Sequence, residues 1–342
     1  MSVLKFYGSR SDINQIISGG IDMPLTAAIL KKEKVELHVL LNDTDDLSKI
    51  NSNPEEPVNI RFMMDQVEIK IPNYFFLEEN KKLPLSSRCV IIGENLINSN
   101  PIALNMALTT DDDKLLTGRF EKNFIKNNHF SDNWDSIFTH KEIESQDKFL
   151  VPKSNSIILN DSYLFIKPER NQNLGIRNLK QSLKVLLPEQ STEEFHITII
   201  TADCKWSPVI ASEKFNELYD YLKNGFNYPI FLELVIWNPS KATNHKRILV
   251  SNYYTLSTDY GFDIFNSENK VNGNNDIVAK RIFHDVNQPG ESPYHQSNLR
   301  IGLMRKSYNE AKNFCRNFKQ ETGSIYLNSS GDFDKMNRLF IS

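Results

Sequence analysis

The chain has little cysteine, no long apolar run and no excess of charge of one sign, and each absence excludes something. Its three cysteines, Cys89, Cys204 and Cys315, are far apart and lack the close spacing of a zinc site. That usage fits a reducing compartment. Nowhere is there a stretch of about 18 apolar residues, the length of a membrane span. The opening MSVLKFYGSRSD lacks the apolar segment of a secretory signal. The expectation is a soluble, cytoplasmic protein. With 40 Lys and Arg against 43 Asp and Glu, the net charge is −3. No global basic excess advertises nucleic acid, so any anion site must be local. Repeats and low-complexity tracts are absent as well.

What is present is globular. The 342 residues are 39% apolar and 24% charged, enough for two domains or for one domain with a large appendage. The expected class is α/β, with an α+β N-terminal domain over 1–145 and an α/β domain over 154–342. In the first, Pro24–Lys32 fits a short helix and Val35–Leu41 a strand. Val58–Ile71 alternates like a half-buried strand or hairpin. Cys89–Ile92 reads as a short strand and Pro101–Leu108 as a short helix, while Leu115–Phe124 fits either type. Asp111, Asp112 and Asp113 form an acidic run. A divalent cation needs converging oxygens, and a solvated loop is the expected reading. Asn127–Lys153 has no clear periodicity and reads as the junction.

The second domain is more sharply patterned. Ser156–Ile166 reads as a strand with a polar interruption at Asn160 and Asp161. Leu174–Leu187 carries a helical stripe ended by Pro188. Phe195–Thr201 is the near-continuous apolar run of a central parallel strand, with Asp203 close behind. A second helix runs through Phe215, Leu218 and Leu222, and Pro229–Trp237 is a third strand. Strand, helix, strand, helix, strand predicts a βαβαβ core. Arg247–Val250 continues as a strand, Tyr253–Leu256 extends it or forms the next, and Ile277–Val286 fits an edge strand. Ser307 with Glu310 forms a capping box for a helix to about Gln320. The tail Gly323–Ser342 reads as a short strand and a surface loop.

The stretch Ala242–Phe265 concentrates the chemistry. His245 and Arg247 alternate on a strand and therefore share a face. An imidazole and a guanidinium so placed suit a phosphoryl group, because the guanidinium can bind it through two parallel hydrogen bonds. Lys241 and Lys246 add local positive charge, although Lys246 points the other way. Asp161, near the end of its strand, is placed to orient His245 or pair with Arg247, and Asp203 is a second candidate for that rim. Lys167 and Arg170 read as secondary phosphate contacts or solvated charges. Tyr253 and Tyr254 can stack on bases or pack in the core. Asn252, Asp259, Asp263 and Gly261 suit turns. Asp285 beside His284 lacks the partners of a metal site.

With these residues in place, the half from about Ser154 to Phe265 resembles the phospholipase D superfamily. The resemblance rests on Asp161 within SIILNDSY, the strand HITIIT and the histidine motif. In that family His-x-Lys is followed, after four residues, by Asp. Here the three positions are His245, Arg247 and Asn252. The resemblance implies a nucleophilic histidine and a basic clamp on phosphoryl oxygens, with two such motifs meeting in one chain or across a dimer. No second His-x-Lys or His-x-Arg occurs, so catalysis through His245, Arg247 and Asp161 would require a homodimer or a different general acid.

The run from His245 through Asn252 and Leu256 to GFDIF looks closer still to the phospholipase-like C-terminal domain of proteins that carry a microtubule-interacting and trafficking module. That resemblance implies a non-catalytic domain for acidic phospholipids, with no cofactor and no metal. Four expectations stand at this level: a phosphate-ligand module for lipid or nucleic-acid backbone, with His245, Arg247, Asn252, Lys241, Lys246, Asp161 and Lys167 as its contacts; a dimeric phosphodiesterase or nuclease; a structural salt bridge from Arg247 to Asp161 or Asp263; and a scaffold in a bacterial assembly such as phage defence, its N-terminal domain meeting a protein partner.

Overall fold

The structure is a computed structural model describing residues 4–12, 35–41, 48, 52, 73–75, 88–94, 96, 108–109, 112–124, 132–141, 147–165, 174–202, 206–237, 247–271, 275–284, 293–317 and 324–341. The chain divides into two compact units, 1–118 with 282–295, and 119–281 with 296–341.

The first unit is built on β1 (Leu4–Gly8), β2 (Val35–Leu40), β3 (Asn73–Phe75), β4 (Val90–Ile92) and β5 (Leu108–Thr109), with the short α1 (Asp113–Leu116) after them. The sheet order is β3-β2-β1-β4-β5, and all four pairings are parallel. This corrects the α+β expectation, since parallel neighbours need crossover connections rather than hairpins. The expected strands at Val35–Leu41 and Cys89–Ile92 are present as β2 and β4. The helix expected at Pro24–Lys32, the strand or hairpin expected at Val58–Ile71, and the helix at Pro101–Leu108 up to its last residue lie outside the described residues. Leu108 itself is in β5.

The second unit begins at Arg119, inside the stretch expected to belong to the N-terminal domain. Its strands are β6 (Arg119–Phe124), β7 (Phe138–Thr139), β8 (Phe149–Leu150), β9 (Ser156–Asn160), β10 (Phe195–Thr201), β11 (Ile230–Trp237), β12 (Ile248–Ser251), β13 (Tyr254–Thr258), β14 (Asn275–Arg281) and β15 (Ser324–Asn328). Its helices are α2 (Leu174–Leu186), α3 (Pro208–Gly225), α4 (Pro293–Asn317, which starts in the first unit's residues) and α5 (Arg338–Ile341). Eight strands form one mixed sheet in the order β15-β11-β10-β9-β12-β13-β14-β6. β9, β10 and β11 are parallel neighbours, linked through α2 and α3 as the sequence pattern predicts.

The near-continuous apolar runs follow from helices on both faces. Ile157, Leu159, Ile197, Ile199, Leu232 and Leu234 pack with Leu179, Leu183, Phe215 and Leu218 of α2 and α3. The intervening Ile158, Ile200, Val235, Ile248 and Val250 pack with Ile301, Met304, Tyr308 and Ala311 of α4. Glu233 is the exception on that second face. It is fully buried and accepts from the Tyr308 hydroxyl at 2.5 Å, the Tyr326 hydroxyl at 2.8 Å and the Thr198 hydroxyl at 2.7 Å. A buried carboxylate is tolerable only when so fully bonded.

Three local expectations are corrected. Ser307 and Glu310 lie in the interior of α4, which opens at Pro293, so their spacing is one helical turn and not a cap. β14 is no edge strand, because it pairs with both β13 and β6. The tail holds β15 on the β11 edge and then α5, whose Leu339 and Phe340 are buried. Among the described residues, no helix is long and apolar enough to cross a membrane.

Candidate ligand site at the carboxyl edge of the second sheet

β9 ends at Asn160 and β12 opens at Ile248, and the antiparallel register sets these two residues opposite each other. One further step on each strand brings Asp161 and Arg247 together, on the face shared by Leu159 and Leu249. The Arg247 Nε lies 4.0 Å from Asp161 Oδ1. Asp161 is fully buried. Its Oδ1 accepts from the Tyr163 N–H at 2.9 Å and its Oδ2 from the Phe262 N–H at 2.8 Å. Burial pushes its carboxyl above the ordinary range and Asp263 pushes the same way, while the two amides and Arg247 pull it back.

The approach of the Phe262 amide depends on Gly261. That residue has φ +110°, and a Cβ on it would stand 2.8 Å from Asp161 Oδ2. Only glycine meets both demands without strain. Its N–H donates to Thr258 Oγ1 at 2.8 Å, which fixes the bend.

Arg247 is held but not spent. Its Nη1 donates to the Asp259 carbonyl, and its guanidinium carbon lies 5.1 Å from the centre of the Tyr163 ring, a cation–π contact. Nε has no hydrogen-bond partner, and among the described residues Nη2 has none either. The side chain is 25% exposed. A guanidinium has five N–H donors; Nε is buried toward Asp161, so the open capacity lies on the Nη side.

Asn252, the third motif position, is elsewhere. It lies past the far end of β12, where it is buried. Its Oδ1 accepts from the Asn155 N–H at 3.2 Å and the Ser156 N–H at 3.1 Å, and its Nδ2 donates to Asn155 Oδ1 at 3.2 Å. Asn252 therefore staples the amino end of β9 while Arg247 stands at its carboxyl end. The i+5 spacing that looks like one site in sequence spans a whole strand.

Of the other expected contacts, His245, Lys241, Lys246, Lys167, Arg170, Asp203 and Asp285 lie outside the described residues. Tyr253 and Tyr254 are wholly buried, so they are core residues and not stacking faces. Asp259 contributes its carbonyl to Arg247, and Asp263 is nearly buried beside Asp161. Among the described residues, no group of His, Cys, Asp or Glu is placed to hold a metal ion.

Sequence reasoning missed two polar clusters. Where the strand order of the first unit reverses, between β1 and β4, open α/β sheets usually receive ligands. Here Asp12 fills that place: its Oδ2 accepts from the Ser9 N–H at 2.7 Å, the Ser9 hydroxyl at 2.7 Å and the Leu96 N–H at 3.1 Å. A Cβ on Gly93 would lie 2.2 Å from Asp12 Cγ, so nothing larger than glycine fits against it. The Glu233 cluster is the second, and its signal was readable as an acid inside the apolar run Ile230–Trp237.

Compared with protein-family models and with curated protein sequences, the chain matches none.

Proposed function

We propose that the second unit is a phospholipase D-like domain that recognises a phosphate-bearing ligand without cleaving it. The observation that carries this reading is Arg247, a partly exposed guanidinium beside a buried carboxylate that backbone amides already engage. Asp161 orients the arginine, Tyr163 supports its plane, and open N–H donors remain for phosphoryl oxygens. The parallel β9–β10–β11 unit, with Asp161 and Arg247 at its carboxyl edge, supports the resemblance drawn from the sequence. Asn252 supports the non-catalytic version, since it is committed to the backbone at the opposite end of β9.

Nucleic-acid backbone and acidic lipid headgroups share the recognised chemistry. Vesicles containing phosphatidylserine and a single-stranded oligonucleotide separate them. Wild-type protein binds one of the two, Arg247→Ala loses at least tenfold in affinity, and its stability changes little. Equal binding of both probes by wild type and variant refutes the assignment.

A further inference from the structure

A second basic site lies at the opposite edge of the same parallel strands. α2 and α3 run back from the carboxyl ends of β9 and β10, so their own carboxyl ends stand at the amino edge of the sheet. There they border a cleft of about 910 Å³, closed on its other side by residues of β7 and of the segments around β8. Among the described residues, four lysines line it, Lys141, Lys148, Lys153 and Lys184, against the two acids Asp135 and Glu189. The balance among these lining residues is positive in a chain of net charge −3, which suits a local anion site.

The lysines are largely uncommitted. The Lys148 ammonium donates to the Asp135 carbonyl at 2.8 Å. Among the described residues, the ammonium groups of Lys141, Lys153 and Lys184 have no hydrogen-bond or ion-pair partner, and all three side chains are exposed. Helix carboxyl ends carry partial negative charge and would oppose an anion. Here several of the carbonyls are engaged: His140 Nε2 donates to the Val185 carbonyl at 2.8 Å, the Tyr228 hydroxyl donates to the Pro188 carbonyl at 2.8 Å, and the Leu187 and Phe226 amides cover Leu183 and Leu222. Half-buried Tyr221 and Phe226 add an aromatic wall.

We propose that this cleft binds a nucleotide, its phosphates held by Lys141, Lys153 and Lys184 and its base against Tyr221 and Phe226. The volume falls in the range of small-ligand sites, roughly 300–1,000 Å³. Charge on one wall and aromatic surface on another match the two halves of a nucleotide. The site is independent of Arg247, because the two stand at opposite ends of β9.

The test is calorimetric titration of the full chain with ATP as probe. The wild type takes up ATP, and tripolyphosphate displaces it because the lysines hold the phosphates. Lys153→Gln combined with Lys184→Gln lowers affinity at least tenfold with little change in melting temperature, and the same loss is read when both are introduced into an Arg247→Ala background, where uptake at the other edge is removed. No uptake by the wild type, equal affinity in the double variant, or ATP that tripolyphosphate fails to displace overturns the proposal.

Discussion

Arg247 faces Asp161 one step beyond the last register pair of two antiparallel strands, with 4.0 Å between Nε and Oδ1. The carboxylate is dry and fixed by two amides, and the guanidinium is wet on one side. Such a pair is asymmetric: Asp161 has little freedom to respond to a ligand, while Arg247 can exchange water for phosphoryl oxygens. Its fixed direction lowers the ordering cost of that exchange.

The geometry depends on the backbone bend at Gly261. Gly261→Ala places a side chain at φ +110° and within 2.8 Å of Asp161 Oδ2. The expected cost is about 1–3 kcal/mol, read as a lower urea midpoint with unchanged slope. Anion binding weakens as well, because Asp161 must shift to admit the methyl group. A variant as stable as the wild type would show that the bend is not strained by a Cβ.

Placing at Asn252 the aspartate of the phospholipase D motif is informative because the structure expects loss, not gain. Asn252→Asp removes the donor to Asn155 Oδ1 and sets a carboxylate against that oxygen. Stability falls by about 1–3 kcal/mol, the cost of a broken buried hydrogen bond. No phosphodiesterase activity appears against bis(p-nitrophenyl) phosphate. Activity gained on this substitution would place Asn252 in a catalytic site after all.

A pH effect is expected at the amino end of β10. His196 accepts the Arg338 N–H at Nδ1 at 3.3 Å, so its Nε2 carries the proton and donates to Glu194 at 3.0 Å. Burial, and then Arg338, push its pKa down to about 4, although Glu194 opposes them. The unfolded chain therefore binds more protons than the native one between the ordinary histidine value and about 4. Stability contributed by neutral His196 is complete above about pH 6.5 and is lost as the pH falls through that window, on the order of 3 kcal/mol in all. His196→Gln flattens this part of the stability profile in urea titrations from pH 7 to 4. An unchanged slope rules His196 out as its source.

Much of the second unit was legible because its signals are local and repeated. The apolar runs at Phe195–Thr201 and Pro229–Trp237 and the helical stripe at Leu174–Leu187 specify elements by periodicity, and short links leave a βαβαβ unit as the natural arrangement. β6 was not legible as part of that sheet. RFEKNF is mostly polar, and its place is set by pairing with β14, more than a hundred residues later. The parallel order of the first sheet was hidden for the same reason, since β4 and β5 are too short to show a period. The Ser307–Glu310 match misled because a one-turn spacing recurs throughout any helix.

The candidate site divides along the same line. The amino-acid sequence by itself placed an acid after one strand and a basic residue before another, and it marked Gly261 as a bend. It also joined Arg247 and Asn252 into one motif. Only the tertiary structure decided that Asp161 meets Arg247 while Asn252 holds the far end of β9. The reason is register: an antiparallel pairing sets the end of one strand beside the start of the next, and a five-residue separation becomes the length of the sheet. The lysine cleft has the same origin. Lys141, Lys153 and Lys184 are scattered in sequence, and the return of two helices to the amino edge of three parallel strands is what gathers them.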